Sequence, residues 1–188
     1  MDVMTAVLSR RSEHHLVEPA PNDQEFAYLL RVAATAPDHG GLRPWRLILI
    51  RNEGHTALQR PFADRYAGTQ TRPGNTQENQ RAPLLVTVVF SPLPIDTEDP
   101  ASIPEWEQLA ATTAMTNSLA LLLHARGFGS NWHSGKNAET DQVRQAMGLR
   151  HQERLLGWLR IGTPQQSEPP KRQATKDITH RISNFRPL

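Results

Sequence analysis

Three short runs in this chain are apolar at successive positions rather than at alternate ones: 46–51 (RLILIR), 84–90 (LLVTVVF) and 155–161 (LLGWLRI). Runs of this length predict strands with apolar residues on both faces, internal to a sheet. Gly162-Thr163-Pro164 ends the third. The longest interval is different in kind. Between Glu107 and Arg126 there is no Asp, Glu, Lys or Arg, and Ala and Leu dominate, a composition that favours helix. Pro104 suits the first turn, Ser102 upstream is a candidate cap, and Gly127 stands where a left-handed stop belongs. Glu105 and Glu107 near the start and Arg126 at the end suit the helix dipole. The predicted helix is about 35 Å long. Small or apolar residues cover nearly all its faces, so it is expected to be buried nearly all round, crossing the domain and facing a second subunit along one side. Gln108, Thr112, Thr113, Thr116, Asn117 and Ser118 interrupt the run well short of the roughly 20 residues of a membrane span.

Around this helix the other elements fall in order. Residues 2–9 predict a short helix ending at Arg10-Arg11-Ser12. Asn22 with Glu25 forms a capping-box-like start, and Phe26, Leu29, Leu30 and Ala33 recur at helical spacing. That helix should stop near Ala36, because Pro37 follows. The loop APDHGGLRPW carries His39, Arg43 and Trp45 between paired glycines and prolines. Residues 55–66 predict a helix interrupted by Pro61, 67–81 a polar mobile loop or lid, and 91–102 a linker. GSNWHSG at 129–135 predicts a strand edge turning into a loop, and 140–147 a short helix stopped by Gly148. The last two dozen residues lack apolar periodicity; they read as a disordered tail or as an arm packed on a partner.

Composition narrows the chemistry. A length of 188 residues suggests one domain. The absence of Cys removes disulfides, thiol nucleophiles, Fe–S clusters and Cys-bound zinc. No charged segment followed by an apolar one opens the chain, so the expectation is a cytosolic protein. Net charge is +2 with a pI near 9.4. The basic residues are dispersed, densest at Lys171, Arg172, Lys176, Arg181 and Arg186, without the clustering among aromatics of a nucleic-acid binder. GxGxxG, GxxxxGK[ST] and HExxH are absent, so classical dinucleotide, P-loop and zinc-protease chemistry is not indicated. Arg10, Arg11 and Ser12 offer two guanidinium forks and a neutral donor suited to phosphate. They read equally as solvated surface. His14, His15 and His39 read as polar loop residues.

In order and spacing, SRRS at 9–12, EPAP at 18–21, APDHGGLRPWRLILI at 36–50, RAPLLVTVV at 81–89, the long helix, GFGSNWHSG at 127–135 and LLGWLRIGTP at 155–164 resemble the FMN-dependent nitroreductase superfamily, in particular its minimal YdjA-like members. The resemblance implies an α+β fold, with a mostly antiparallel sheet flanked by helices and the long helix in the core of a homodimer. It implies an FMN-binding domain over 1–164 and, over 165–188, a C-terminal arm crossing onto the partner. It assigns Arg10, Arg11 and Ser12 to the FMN phosphate, His39 to a position near the flavin across the dimer, and Trp132, His133, Ser134 and Gly135 to a flavin-contacting W-R-S-G segment. The chain departs from the family at His133, where close relatives often carry Arg, and at Thr35, which replaces an Arg preceding the loop. The implied activity is NADH- or NADPH-linked, ping-pong reduction of nitroaromatics, quinones or similar small electrophiles, with the flavin supplying the redox chemistry. No side chain is assigned as general acid or base, and no metal is expected. The two departures motivate a rival, a flavin store or sensor with little reductase activity.

Overall fold

The structure, a computed structural model, describes residues 1–51, 54, 82–96, 98, 102–134, 140–165 and 175–185. The expected helix at 55–66 and loop at 67–81, like Gly135, lie outside the described residues.

Helix α1 spans Val3–Ser9, capped by Asp2, whose carboxylate accepts from the Thr5 amide. Strand β1 is Leu16–Val17. Helix α2 is Asp23–Ala33, with Asn22 as the N-cap accepting from the Glu25 amide at 2.9 Å. Strand β2 is Trp45–Ile50 and β3 Leu84–Phe90. Helix α3, Glu105–Ala125, is the long apolar rod. Strand β4 (Gly129–His133), helix α4 (Asp141–Ala146) and strand β5 (Arg154–Pro164) complete the domain.

All the strand ladders are antiparallel, in the order β2–β3–β5–β4, and β1 joins the far end of β5 through Leu16↔Pro164. β5 outruns its apolar core because β4 and β1 take up successive parts of one edge, up to Gly162 and Pro164. The expectation that β2 is internal is corrected: among the described residues it pairs with β3 alone, and Leu49 is exposed. Apolar residues on both faces report burial above and below the sheet, not a second neighbour beside it.

One face of the sheet packs on α2 and α3. Phe26, Leu29 and Ala33 meet Met115, Leu119 and Leu123 over Leu84, Val86, Val88, Leu159 and Ile161. Fully burying each large side chain among them contributes about 1.5–3 kcal/mol. The other face, with Leu85, Leu155 and Trp158, packs on Val143 and Met147 of α4 and its C-cap.

α3 is not buried all round within one chain. Its inner face is Gln108, Ala111, Thr112, Met115, Thr116, Leu119 and Leu123, whereas Trp106, Ala110, Thr113 and Asn117 form an exposed stripe along the opposite side. Trp106 is 69% exposed. The expected Ser102 cap is absent: Pro104 is the N-cap and makes no side-chain bond, while the Ser102 hydroxyl accepts from the Asp96 amide at 2.9 Å. The stop is as expected, Gly127 adopting φ +89°.

Candidate functional site

The segment after α1 becomes part of the sheet. Ser12 makes a parallel bridge to Ser130 on the outer edge of β4, and the Glu13 amide donates to Ser130 O at 3.0 Å. This register sets Arg10, Arg11 and Ser12 beside the strand that carries Trp132 and His133, from residues some 120 positions away. The packing is close: a Cβ on Gly129 would lie 2.7 Å from Leu16 and 2.9 Å from Glu13.

Arg11 donates through Nε to Glu13 at 2.7 Å, which commits one edge of its guanidinium within the chain. Arg10 caps α1 through its amide, bonded to Ala6 O at 3.0 Å. Behind them, the Ser9 hydroxyl donates to Thr5 O at 2.6 Å and lies 2.7 Å from His124 Nε2 in the last turn of α3.

On β4 and β5 a second polar group assembles. Asn131 pairs in register with Arg160, and His133 with Trp158. The His14 ring meets the Asn131 amide at 3.3 Å, and the Arg160 guanidinium donates to His14 O at 3.3 Å. Arg160 is 3% exposed, a buried cation in the centre of the longest strand. His133 is held below the ordinary imidazole value, first by burial, then by Arg160 and His14. It therefore stands as a neutral ring at neutral pH. Its Nε2 is buried and has no hydrogen-bond partner among the described residues. A fixed charge, Arg160, thus stands near His133 on the neighbouring strand.

Gly157 shapes this end of β4. It sits at φ +123° where the β3–β5 register shifts, and a Cβ there would lie 2.5 Å from His133 O and 3.0 Å from Ser134 Cα. The His133–Ser134 backbone rests on a position that only glycine leaves open.

His39 and Thr35 are elsewhere. Asp38 accepts from the Leu42 and Arg43 amides at 3.2 and 2.7 Å, which orders the loop. His39 Nδ1 lies 2.7 Å from Glu107 in the first turn of α3. Thr35 turns its hydroxyl back to Val32 O at 2.8 Å. Between Glu107 and His124 the helix rises about 25 Å, so one chain holds His39 and the segment that follows Ser9 at opposite ends of α3. Sequence reasoning missed Ser9, His124, Ser130, Gly157 and Arg160. Arg160 alone carried a signal, as the one charge inside the apolar run at 155–161.

An antiparallel sheet with one long helix across it and a basic segment stitched to its edge strand defines an α+β scaffold. A family model described as "Nitroreductase family" matches residues 7–163, and the chain belongs to the nitroreductase family. It is 33% identical over 169 residues to the Escherichia coli (strain K12) protein named "Putative NAD(P)H nitroreductase YdjA", covering 88% of this chain and 90% of that one. It is 31% identical to the Bacillus subtilis (strain 168) protein YfhC, covering 91% and 89%. Among solved structures, a nitroreductase-like family protein from Bacillus cereus superposes with a TM-score of 0.79 at 25% identity, covering 98% of this chain and 96% of that one. The FMN and NADPH-dependent nitroreductase NfnB from Sphigopyxis sp. strain HMH shares the fold, with a TM-score of 0.72 at 18% identity and full coverage of both chains. Among the described residues no helix is long and apolar enough to cross a membrane.

Proposed function

We propose that the protein is an FMN-dependent, NADH- or NADPH-linked oxidoreductase that reduces nitroaromatics, quinones or similar small electrophiles, working as a homodimer. The observation that carries this reading is the separation of the two groups of predicted site residues. His39 lies by the first turn of α3 and Arg10–Ser12 by the last, so a complete site needs two chains with their α3 rods side by side and opposed. The stripe of Trp106, Ala110, Thr113 and Asn117 is the face such a pairing covers. The described part of the C-terminal segment leaves Ile178, Ile182 and Phe185 exposed, which fits an arm over 165–188 that finds its apolar contacts on the partner.

The donor set fits the cofactor. Arg10, the outer edge of Arg11 and the Ser12 hydroxyl suit a phosphoryl group. Trp132, His133 and Ser134 flank the place for the ring, with His39 approaching from the partner. A bound flavin would supply hydride acceptance and return. The chain's part is to orient the ring, exclude water, and set a positive field near it through Arg160, with His133 as a neutral hydrogen-bonding group.

The test is anaerobic titration of the FMN-loaded protein with NADH and with NADPH. Loss of the visible flavin band with either, restored by a nitroaromatic or quinone, is expected. A yellow protein that neither nucleotide bleaches would make it a flavin store or sensor instead.

A further inference from the structure

The segment bearing Arg10 and Ser12 is fastened from behind by His124. The Ser9 hydroxyl has one proton, and it points at Thr5 O. His124 therefore donates through Nε2 to Ser9 Oγ, 2.7 Å away. The neutral tautomer and the imidazolium both carry that Nε2–H. A proton arriving at Nδ1 thus adds a charge without breaking the contact, one residue from Arg10.

The surroundings within the chain oppose that charge. Burial lowers the ring's proton affinity most, Arg10 and Arg11 add to the effect, and Glu13 works against it. The C-terminal end of α3 favours a cation. From α2 the ionisable neighbour is Glu25, already paired with Arg126 at 3.1 Å. At the far end of α3, Glu107 is engaged with His39.

We propose that His124 is the third, titratable cation of the phosphate-binding end, so that a phosphorylated ligand seated at Arg10 and Ser12 binds together with a proton on His124. This deepens the flavin-phosphate reading and rests on it. A phosphoryl dianion offsets the repulsion from the arginines, the ring charges, and affinity rises as pH falls through the imidazole range. The phosphoryl group itself takes up a proton near pH 6, which weakens binding over the same interval. A variant lacking the imidazole reports that opposing trend alone.

The experiment measures dissociation constants of FMN and of riboflavin, by flavin fluorescence quenching, for wild type and His124→Gln at about pH 8 and about pH 6, either side of the imidazole range. The wild-type advantage for FMN should grow by roughly fivefold between the two, the effect of one partly screened charge. For riboflavin, which lacks the phosphate, it should not change. A constant ratio, or equal growth with riboflavin, overturns the proposal. Imidazole proton NMR of the wild type gives a second reading that needs no variant fold and no flavin: inorganic phosphate should move the His124 titration upward, and an unmoved titration overturns the proposal. Failure of FMN to bind at either pH sinks the flavin reading, and the phosphate titration still decides this one.

Discussion

Glu153 is a heavily committed ionic group, and replacing it with Gln gives a sharp stability test. Its carboxylate is 0% exposed and accepts five bonds. Two come from Arg46 on β2, at 2.9 and 2.8 Å, and three from the backbone and side chain of Arg150, at 2.8, 2.9 and 2.8 Å. Arg150 also reaches Ser91 after β3, so one carboxylate ties β2, the end of β3 and the start of β5. Glutamine keeps the shape but turns an NH2 toward guanidinium donors and leaves two cations without their anion. Breaking a buried pair from one side costs about 3–5 kcal/mol. The Arg46 and Arg150 side chains are 35% and 63% exposed and regain water, which places the expected loss near the lower figure, about 3 kcal/mol. For a chain of this size that is roughly 6–12 °C in Tm.

The pH dependence has a definite sign. The Arg46 hydrogen bonds first, then those from Arg150, hold Glu153 far below the ordinary carboxylate range despite its burial. A depressed pKa stabilises fully above the unfolded value of about 4.3 and is lost as pH falls below it. In urea melts, the gap between wild type and Glu153→Gln should therefore be constant from neutral pH to about pH 5. It should then narrow by roughly 1.4 kcal/mol per unit. A neutral-pH loss under about 1 kcal/mol, the value of a surface pair, or a gap that does not narrow in acid, refutes the reasoning.

Three other outcomes follow from the geometry. Arg10→Ala should weaken FMN binding by tenfold or more, as expected for a charge-assisted contact of about 1.5–3 kcal/mol. Replacing Arg11 as well should weaken it further; isothermal titration that finds FMN affinity unchanged in the double variant removes the phosphate from this segment. Gly157→Ala must displace the His133–Ser134 backbone, so it should cost about 2–3 kcal/mol and also lower flavin affinity. Unchanged affinity in a folded variant would detach that turn from the site. Thr113→Arg, on the exposed stripe of α3, should shift the protein toward monomer in sedimentation velocity and take flavin affinity with it.

What was legible in the sequence follows from range of interaction. The apolar runs announced β2, β3, β5 and α3 because burial on both faces leaves a local mark. The Asn22 cap and the Gly127 stop were legible for the same reason. That β2 pairs with β3 alone among the described residues was not, since a strand's neighbours in the sheet leave no trace in the strand itself. Ser102 failed as a cap because Asp96, six residues back, claims its hydroxyl. At the site, Arg10–Ser12 can be named from the family resemblance, but their seat beside Trp132 depends on the Ser12–Ser130 bridge. Likewise, Arg160 comes near His133 only when β4 and β5 are laid in register, which sets it opposite Asn131, two residues along the strand.

The central claim is that two chains together complete a site for a flavin phosphate which neither holds alone. Native mass spectrometry of the protein incubated with excess FMN tests it most directly. The account predicts a mass of two chains carrying two FMN, and loss of the flavin whenever the dimer dissociates. A single chain that retains FMN, or a dimer that takes up none, would contradict it.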